Sequence, residues 1–413
     1  MSEVTPLTSE EFAQLMTPFV FGDKIAVAVS GGGDSLCLCL LVHQWAQQNQ
    51  KQLVALTVDH QLRAESGSES QQVAQWMQAQ GIAHHILTWN GDKPITRLQE
   101  RARIKRYELL RQWCQLNNIS AILFAQHQDD QIETIVMRLS KGSTEDGLMG
   151  MKPLVEYPEV RVIRPFLTVT KKRLTTTLEA LKQDWIEDPS NANMLFERVR
   201  LRQIIPHLSD HGISEESLLK FGSLMGCLSN VKNEYLDTFW SHVQWHPGGF
   251  ALIPQNASPP VLQDFFWKRL IQRTGGLLYG PKQDALKRLV QKIALLKNGQ
   301  GTTLGNCMIL KKTDRLYCFR EAPKHPDILK LTQTPQIWEG RFKINFTEPG
   351  TTIKRITHDD WKILVGSHPS LKEKSIPFPV IQSLPTLFKE GQIICIPFVY
   401  ETDSTYENSI TLI

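Results

Sequence analysis

The 413-residue sequence predicts an α/β protein. Its expected N-terminal domain is a parallel sheet with helices on both faces, followed by a helical middle domain and a small mixed α+β C-terminal domain. Three observations predict this. Short apolar runs rich in β-branched residues alternate with helical stretches four times before residue 142, the pattern of a parallel sheet. A glycine loop joins the first such run to the first long helical stretch. From about Pro206 to Ser214 the alternation gives way to longer helical stretches, and beyond Pro323 to Pro326 to strand-like runs broken by prolines. The expected domains are residues 1–212, 213–322 and 328–413.

In chain order, Lys24 to Val29 reads as a strand and Ser35 to Gln48 as a helix. Leu53 to Val58 is a second strand ending at Asp59-His60, followed by a helix from about Ser66 to Gln80. His85 to Trp89 leads into a helix from Thr96 to Asn117, and Ala121 to Ala125 into one from Asp130 to Lys141. The middle block offers Glu215 to Trp240, Pro259 to Thr274 and Pro281 to Asn298, the last two opened by proline. Short strand-like runs, Asn306 to Leu310 and Leu316 to Phe319, bracket a turn at Lys312 to Arg315, Pro323 to Pro326 reads as a linker, and Gln392 to Val399 is strand-like. In parallel sheets ligands bind beyond the carboxyl ends of the strands, which is where the polar motifs fall.

The hydrophobic fraction of 41% and charged fraction of 21% are ordinary for a globular protein, and no apolar run is long enough to span a bilayer. Met1 to Glu11 carries acids and hydroxyls rather than a basic region and an apolar stretch, so a cytoplasmic protein is expected. The seven cysteines are scattered, form no CxxC pair and fit reduced, mostly buried thiols. A net charge of +4 confines any nucleic-acid surface to local clusters: Arg97, Arg101, Arg103, Lys105 and Arg106; Lys171, Lys172 and Arg173; Arg198, Arg200 and Arg202. Taken singly, each cluster reads as a solvated helix face.

Ser30-Gly31-Gly32-Gly33-Asp34-Ser35 carries the chemistry. Glycine lets backbone approach a ligand closely, and the helix start adds partial positive charge, so an anion such as phosphate is favoured there. The Ser30 and Ser35 hydroxyls can donate to phosphoryl oxygens, and Asp34 makes best sense as a Mg²⁺ ligand. No lysine lies in the loop, which excludes a Walker loop. The loop resembles the Ser-Gly-Gly-x-Asp-Ser motif of the PP-loop ATP pyrophosphatases, which have an adenine nucleotide alpha hydrolase-like fold and cleave ATP between the α and β phosphates.

Further motifs narrow the resemblance. Val58-Asp59-His60-Gln61-Leu62-Arg63-Ala64-Glu65-Ser66 follows the second strand, and Ala125-Gln126-His127-Gln128-Asp129-Asp130-Gln131-Ile132-Glu133-Thr134 follows the fourth. Glu187-Asp188-Pro189-Ser190-Asn191 leads to Phe196-Glu197-Arg198-Val199-Arg200-Leu201-Arg202. With Leu98 to Arg103, Arg106-Tyr107, Lys141-Gly142-Ser143, Gly147 to Met151 and Arg164 to Leu167, these resemble the tRNA(Ile)-lysidine synthetase family, densely over the first half of the chain.

That resemblance implies ligation of free L-lysine to C2 of the wobble cytidine of the CAU-anticodon tRNA(Ile), through ATP-dependent adenylation of the base. Lysidine, AMP and pyrophosphate are the products, codon recognition changes from AUG to AUA, and tRNA identity from methionine to isoleucine. The C-terminal domain would grip the tRNA, as would the middle domain. Gln126 and Lys141 stand where the family often has histidine and arginine, and Glu145-Asp146 where it more often has leucine and a basic residue.

The residue types suit such chemistry. Phosphates and Mg²⁺ call for Ser30, Gly31, Gly32, Gly33, Asp34 and Ser35 with His60 and Arg63, Asp34 being the expected metal ligand. Asp130 and Glu133, three apart, share a face if their helix begins near Gln128; one could hold the lysine amine while the other acts as base. Arg103 or Arg106 could pair with the lysine carboxylate or a phosphate. The expected catalytic set is Asp34, Asp130, Glu133 and Arg103. Asp129, Arg106, Arg198, Arg200 and Arg202 are candidates for contacts with lysine or tRNA.

Bland readings stand beside these. Asp129 suits a helix N-cap, His60 and His127 could satisfy backbone groups at strand ends, and Arg138 reads as a helix-surface salt bridge. Rival functions are a PP-loop tRNA 2-thiocytidine-type thiolase, an amidotransferase-type ligase such as GMP synthetase, or a non-catalytic tRNA-binding PP-loop protein. A thiolase wants cysteine pairs, and only Cys37-Leu38-Cys39, in an apolar helix, is offered. The sequence does not set the oligomeric state; a homodimer is the arrangement to test.

Overall fold

A computed structural model describes residues 4–62, 65–91, 98–187, 193–277, 280–322, 328–332, 334–345, 350–374, 376–403, 406 and 410–412. The chain divides into two compact units, Met1–Asn230 and Val231–Ile413.

The first unit opens with α1 (Ser9–Met16), capped by Thr8. There follow β1 (Lys24–Ala28), α2 (Gly33–Gln48), β2 (Gln52–Asp59), α3 (Ser66–Ala79), β3 (Ala83–Thr88), α4 (Leu98–Leu116), β4 (Ala121–Leu123), α5 (Gln128–Ser140), α6 (Glu145–Leu148), β5 (Leu154–Glu156), β6 (Arg161–Ile163), α7 (Lys171–Ala180) and α8 (Glu197–Asp210), and the unit ends within α9 (Glu215–Trp240). The strands order as β3-β2-β1-β4-β6-β5, and every pairing is parallel except β5 with β6.

Side chains along β1 alternate between two cores, as the two-residue period of a strand requires. Ile25, Val27 and Val29 join α1, α2 and α7 in one, where Phe12, Leu36, Leu38, Leu174 and Leu178 are buried. Ala26 joins Leu56, Ile122 and Phe124 with Leu110 and Cys114 of α4 in the other. Because β1 pairs with β2 on one side and β4 on the other, the chain reverses direction across the sheet there. The segments after β1 and β4 therefore flank one crevice at the carboxyl edge, the place where such sheets bind ligands.

In the second unit β7 (Gln244–His246), β8 (Phe250–Pro254), α10 (Gln263–Gly275), α11 (Gln283–Leu295), β9 (Gly301–Leu304), β10 (Cys307–Lys312) and β11 (Arg315–Arg320) build an antiparallel sheet ordered β7-β8-β11-β10-β9. The block expected to be mostly helical is therefore mixed. Its strands are only three to six residues long, and the burial of β8 at Phe250, Ala251 and Ile253 does not alternate strictly, so periodicity did not separate it from loop. Phe266, Trp267, Leu270 and Ile271 of α10 pack on this sheet.

Beyond it lie β12 (Leu329–Lys330), β13 (Gln336–Trp338), β14 (Phe342–Ile344), β15 (Thr351–Lys354), α12 (His358–Ser367), α13 (Phe378–Ile381), β16 (Thr386–Lys389), β17 (Gln392–Ile396), β18 (Tyr400–Glu401) and β19 (Ile410–Leu412), the mixed α+β composition expected. They form the sheets β12-β15-β16-β17-β18 and β13-β14-β19. The linker expected at Pro323 to Pro326 lies outside the described residues. Of the scattered C-terminal basic residues, Arg355 makes a buried two-bond pair with Glu339, Nε–Oε1 at 2.9 Å and Nη2–Oε2 at 2.6 Å. Lys374 donates to the Val399 carbonyl at 2.7 Å, and Lys354 lies over the Phe388 ring. These three are tied to their own fold. Among the described residues no helix is long and apolar enough to cross a membrane.

Candidate active site

The glycine loop leaves β1 and becomes α2 without a side-chain cap, Gly32 standing at the N-cap position. The first N–H groups of a helix lack acceptors within it, and here they face the crevice end of the sheet. Ser35 ties the loop together: its Oγ accepts the Ser30 N–H at 3.1 Å, lies 3.2 Å from Ser30 Oγ and donates to the Gly32 carbonyl at 2.9 Å. Gly31 has φ of +87°, a conformation that favours glycine.

Asp34 points toward the segment after β4. Its Oδ2 is 3.5 Å from His127 Nε2, which is also 3.5 Å from Asp130 Oδ2, and His127 Nδ1 is 3.6 Å from Asp129 Oδ1. His127 is 3% exposed, and burial alone would favour its neutral form. Hydrogen bonding to Asp129 and Asp34 and the charge of Asp130 outweigh that and raise its pKa to about 10. His127, for which a strand-end role stood beside its place in the motif after the fourth strand, thus links the loop to α5. The signal that could have found it is its place just before Gln128-Asp129-Asp130 at the start of α5.

α5 starts at Gln128, two residues before the expected start, which puts Asp130 and Glu133 in its first turns. Asp130 Oδ2 accepts the His127 backbone N–H at 3.2 Å. Asp129 does not cap its own helix, where His127 holds the N-cap position; its Oδ1 accepts the Lys171 backbone N–H at 3.0 Å, so it caps the start of α7 instead. Arg138 does not form the expected surface salt bridge. It reaches inward and donates to the Gly147 and Gly150 carbonyls at 2.8 and 2.6 Å.

Arg198, Arg200 and Arg202 sit on α8, where spacing of four brings the outer two onto one face and turns Arg200 away. Arg202 Nε donates to Glu133 Oε1 at 2.5 Å. Arg198 Nη1 is 3.5 Å from Asp130 Oδ1 and 3.9 Å from Glu133 Oε2. Glu133 is 2% exposed; burial raises its pKa, against the pull of Arg202. Among the described residues its Oε2 is buried with no hydrogen-bond partner. Arg200, expected at the substrate, instead donates to the Met194 and Leu195 carbonyls at 3.0 Å and braces the turn before α8.

Arg103 and Arg106, on α4, flank Tyr107, with guanidinium carbons 5.2 and 5.7 Å from its ring centroid. Tyr107 itself stacks on Phe124 at 4.8 Å. Burial lowers the Arg106 pKa, and among the described residues its Nε has no hydrogen-bond partner. Gln126 accepts from Arg164 Nε at 3.1 Å, and Lys141 pairs with Glu197 at 2.7 Å. His60 meets the Trp89 ring edge-on at 6.0 Å. Arg63 and the Asp188-Pro189-Ser190-Asn191 motif lie outside the described residues. Cys37 and Cys39 are buried in α2, their thiol pKa values raised to about 12 chiefly by burial.

The structure thus brings Ser30 to Ser35, His127, Asp129, Asp130, Glu133, Arg198 and Arg202 into one chain of contacts, with Arg200 outside it. The PP-loop domain family model matches residues 5–208. A tRNA(Ile)-lysidine synthase of Ruegeria pomeroyi is 31% identical over 329 residues, 77% of this chain and 76% of that one. One of Rhizobium meliloti is 30% identical over 81% of this chain and 76% of its own. One of the Wolbachia of Brugia malayi is 28% identical over 93% and 90%. With the glycine loop and the crevice of a PP-loop domain in place, these relatives show that the chain belongs to the tRNA(Ile)-lysidine synthases, enzymes of the PP-loop superfamily.

Proposed function

We propose that this enzyme joins free L-lysine to C2 of the wobble cytidine in the CAU-anticodon tRNA(Ile), using ATP. The observation that carries the reading is Glu133 Oε2: among the described residues a buried acceptor without a hydrogen-bond partner, next to Asp130 and one histidine away from Asp34 of the glycine loop. A lysine amine fits such an acceptor, since a buried carboxylate oxygen held only by the 3.9 Å ion pair to Arg198, with no hydrogen bond, is costly.

In the first step O2 of the cytosine attacks the α-phosphorus of ATP and the bond to the β-phosphate oxygen breaks, releasing pyrophosphate. The loop N–H groups and the Ser30 and Ser35 hydroxyls hold the phosphates where charge develops. In the second the ε-amine, having given up its proton, forms a bond to C2. The C2–O2 bond breaks and AMP leaves with that oxygen. Asp130 or Glu133 takes the amine proton while the other holds the amine, and Arg103 and Arg106 supply cationic groups for the lysine carboxylate or a phosphate. Arg198 and Arg202 hold the two carboxylates in place from the opposite side.

Among the described residues no group of three or more histidine, cysteine or carboxylate side chains could hold a metal ion by itself. Mg²⁺ normally takes one or two carboxylates plus substrate phosphates, and Asp34, partly exposed beside the loop, fits that role. Bound there, the ion would neutralise phosphate charge. Cytoplasmic location and tRNA contact by the middle and C-terminal segments, residues 213–322 and 328–413, complete the reading. The thiolase alternative is disfavoured by the burial of Cys37 and Cys39, since sulfur chemistry needs an accessible thiolate.

The test incubates the protein with ATP, Mg²⁺, labelled lysine and a CAU tRNA(Ile) transcript, digests the RNA and seeks a lysine-modified cytidine by mass spectrometry. ATP-dependent label in the wobble nucleotide supports the proposal. AMP formation with no lysine incorporation would leave ATP use intact and overturn the substrate assignment.

A further inference from the structure

We propose that Trp185 and Ile186 are positioning residues that hold the glycine loop in its phosphate-receiving shape. The inference rests on the reading of that loop as the ATP site.

The Ile186 backbone N–H donates to the Gly31 carbonyl at 2.9 Å. A carbonyl oxygen facing a phosphate would repel it, so fixing this one toward Ile186 leaves the loop's N–H side for the anion. The side chains close the same face by contact. A methyl group added to Gly31 would stand 2.9 Å from Ile186 Cδ1 and 3.0 Å from Val73 Cγ2; one added to Gly33 would stand 3.5 Å from the Trp185 ring and 3.6 Å from Leu178. The glycines thus lack side chains where Trp185 and Ile186 lie against the loop. Both residues are half-buried and anchored in the core beneath α2 and α7.

Three successive glycines lose more backbone freedom on being fixed than any other residues would. Without this backing, part of that ordering falls on ATP binding, and affinity for the nucleotide drops while the carboxylates of α5 stay in place. A residue that served only general stability would not separate nucleotide affinity from the rest.

The experiment titrates MgATP, without lysine or tRNA, into the wild-type chain and into Trp185→Ala, Trp185→Leu and Trp185→Phe, alongside melting curves and steady-state kinetics. The expected result for Trp185→Ala is a Kd and KM for ATP raised about tenfold, equivalent to ~1.4 kcal/mol, with the lysine KM unchanged and the phenylalanine variant recovering most of the loss. Should Trp185→Ala fail to fold, Trp185→Leu, which keeps an apolar filler, is read the same way. ATP affinity within about twofold of wild type in a folded variant overturns the proposal. So does a parallel fall of ATP affinity, tRNA affinity and melting temperature. Because the titration contains no lysine or RNA, a wild-type chain that binds MgATP but forms no lysidine defeats the substrate assignment alone.

Discussion

Arg202 Nε donates to Glu133 Oε1 at 2.5 Å across 69 positions of sequence, while the other oxygen of Glu133 is buried without a hydrogen-bond partner among the described residues. One carboxylate is thus half satisfied by α8 and half available, and the two halves respond differently to mutation.

Glu133→Gln keeps the shape but removes the charge that would hold an amine. The lysine KM is expected to rise by about tenfold or more, with MgATP affinity unchanged, because the glycine loop is reached only through Asp130 and His127. An unchanged lysine KM would remove Glu133 from the amine site. Arg202→Ala leaves a buried carboxylate with only the longer, 3.9 Å ion pair to Arg198. Arg202 keeps more than a third of its side-chain surface in water, which screens the pair, so the expected loss is ~2 kcal/mol in urea unfolding rather than the larger cost of a fully buried pair.

Asp34→Ala tests the other end of the site. Removing the carboxylate expected to share Mg²⁺ with the phosphates should lower AMP formation by about 10²-fold or more, and chelation of Mg²⁺ should stop the wild-type reaction reversibly. An Asp34→Ala chain that releases pyrophosphate at near wild-type rate would place the metal elsewhere.

The sheet and the glycine loop were legible because their signals are local: Lys24 to Val29 has strand composition, and the glycines and Ser35 follow within six positions. The expectation that Asp130 and Glu133 share a face needed only helical spacing. What the sequence hid was tertiary. That Asp129 caps α7 depends on Lys171, 42 positions on. Which α8 arginines face α5 became visible only once α8 was known to be one helix from Glu197, since alternate positions do not by themselves share a helix face. The middle antiparallel sheet was legible only at β10 and β11, the strand-like runs from Asn306 and Leu316; β7, β8 and β9 escaped because strands of three to five residues show no period beside three long helical stretches.

Native thiol reactivity offers a direct reading of burial. Six of the seven cysteines are buried and Cys227 is exposed. With the Cys37, Cys39 and Cys114 thiols raised to about 12, chiefly by burial, almost no thiolate exists at pH 8 at those sites. Titration with an aromatic disulfide reagent should therefore modify Cys227 alone in the folded chain, and all seven thiols in denaturant. Rapid modification of Cys37 or Cys39 in the native protein would reopen the sulfur-transfer reading.

The Arg355–Glu339 pair is the opposite case to Arg202–Glu133, since both partners are nearly excluded from water, at 4% and 7% side-chain exposure, and two hydrogen bonds join them. Arg355 Nη1 also donates to the Gln382 carbonyl at 3.0 Å, so one guanidinium ties the turn after β13 to the segment after α13. Arg355→Ala strands a buried carboxylate and a carbonyl together, and ~3–5 kcal/mol of unfolding free energy is the expected loss. Arg355→Met with Glu339→Gln removes both charges and should recover much of it, because an unpaired buried charge costs more than an absent pair. If Arg355 served chiefly to hold RNA, Arg355→Ala would weaken tRNA binding with little change in the urea midpoint; the buried geometry instead predicts a large midpoint shift with MgATP affinity in the folded chain unaltered.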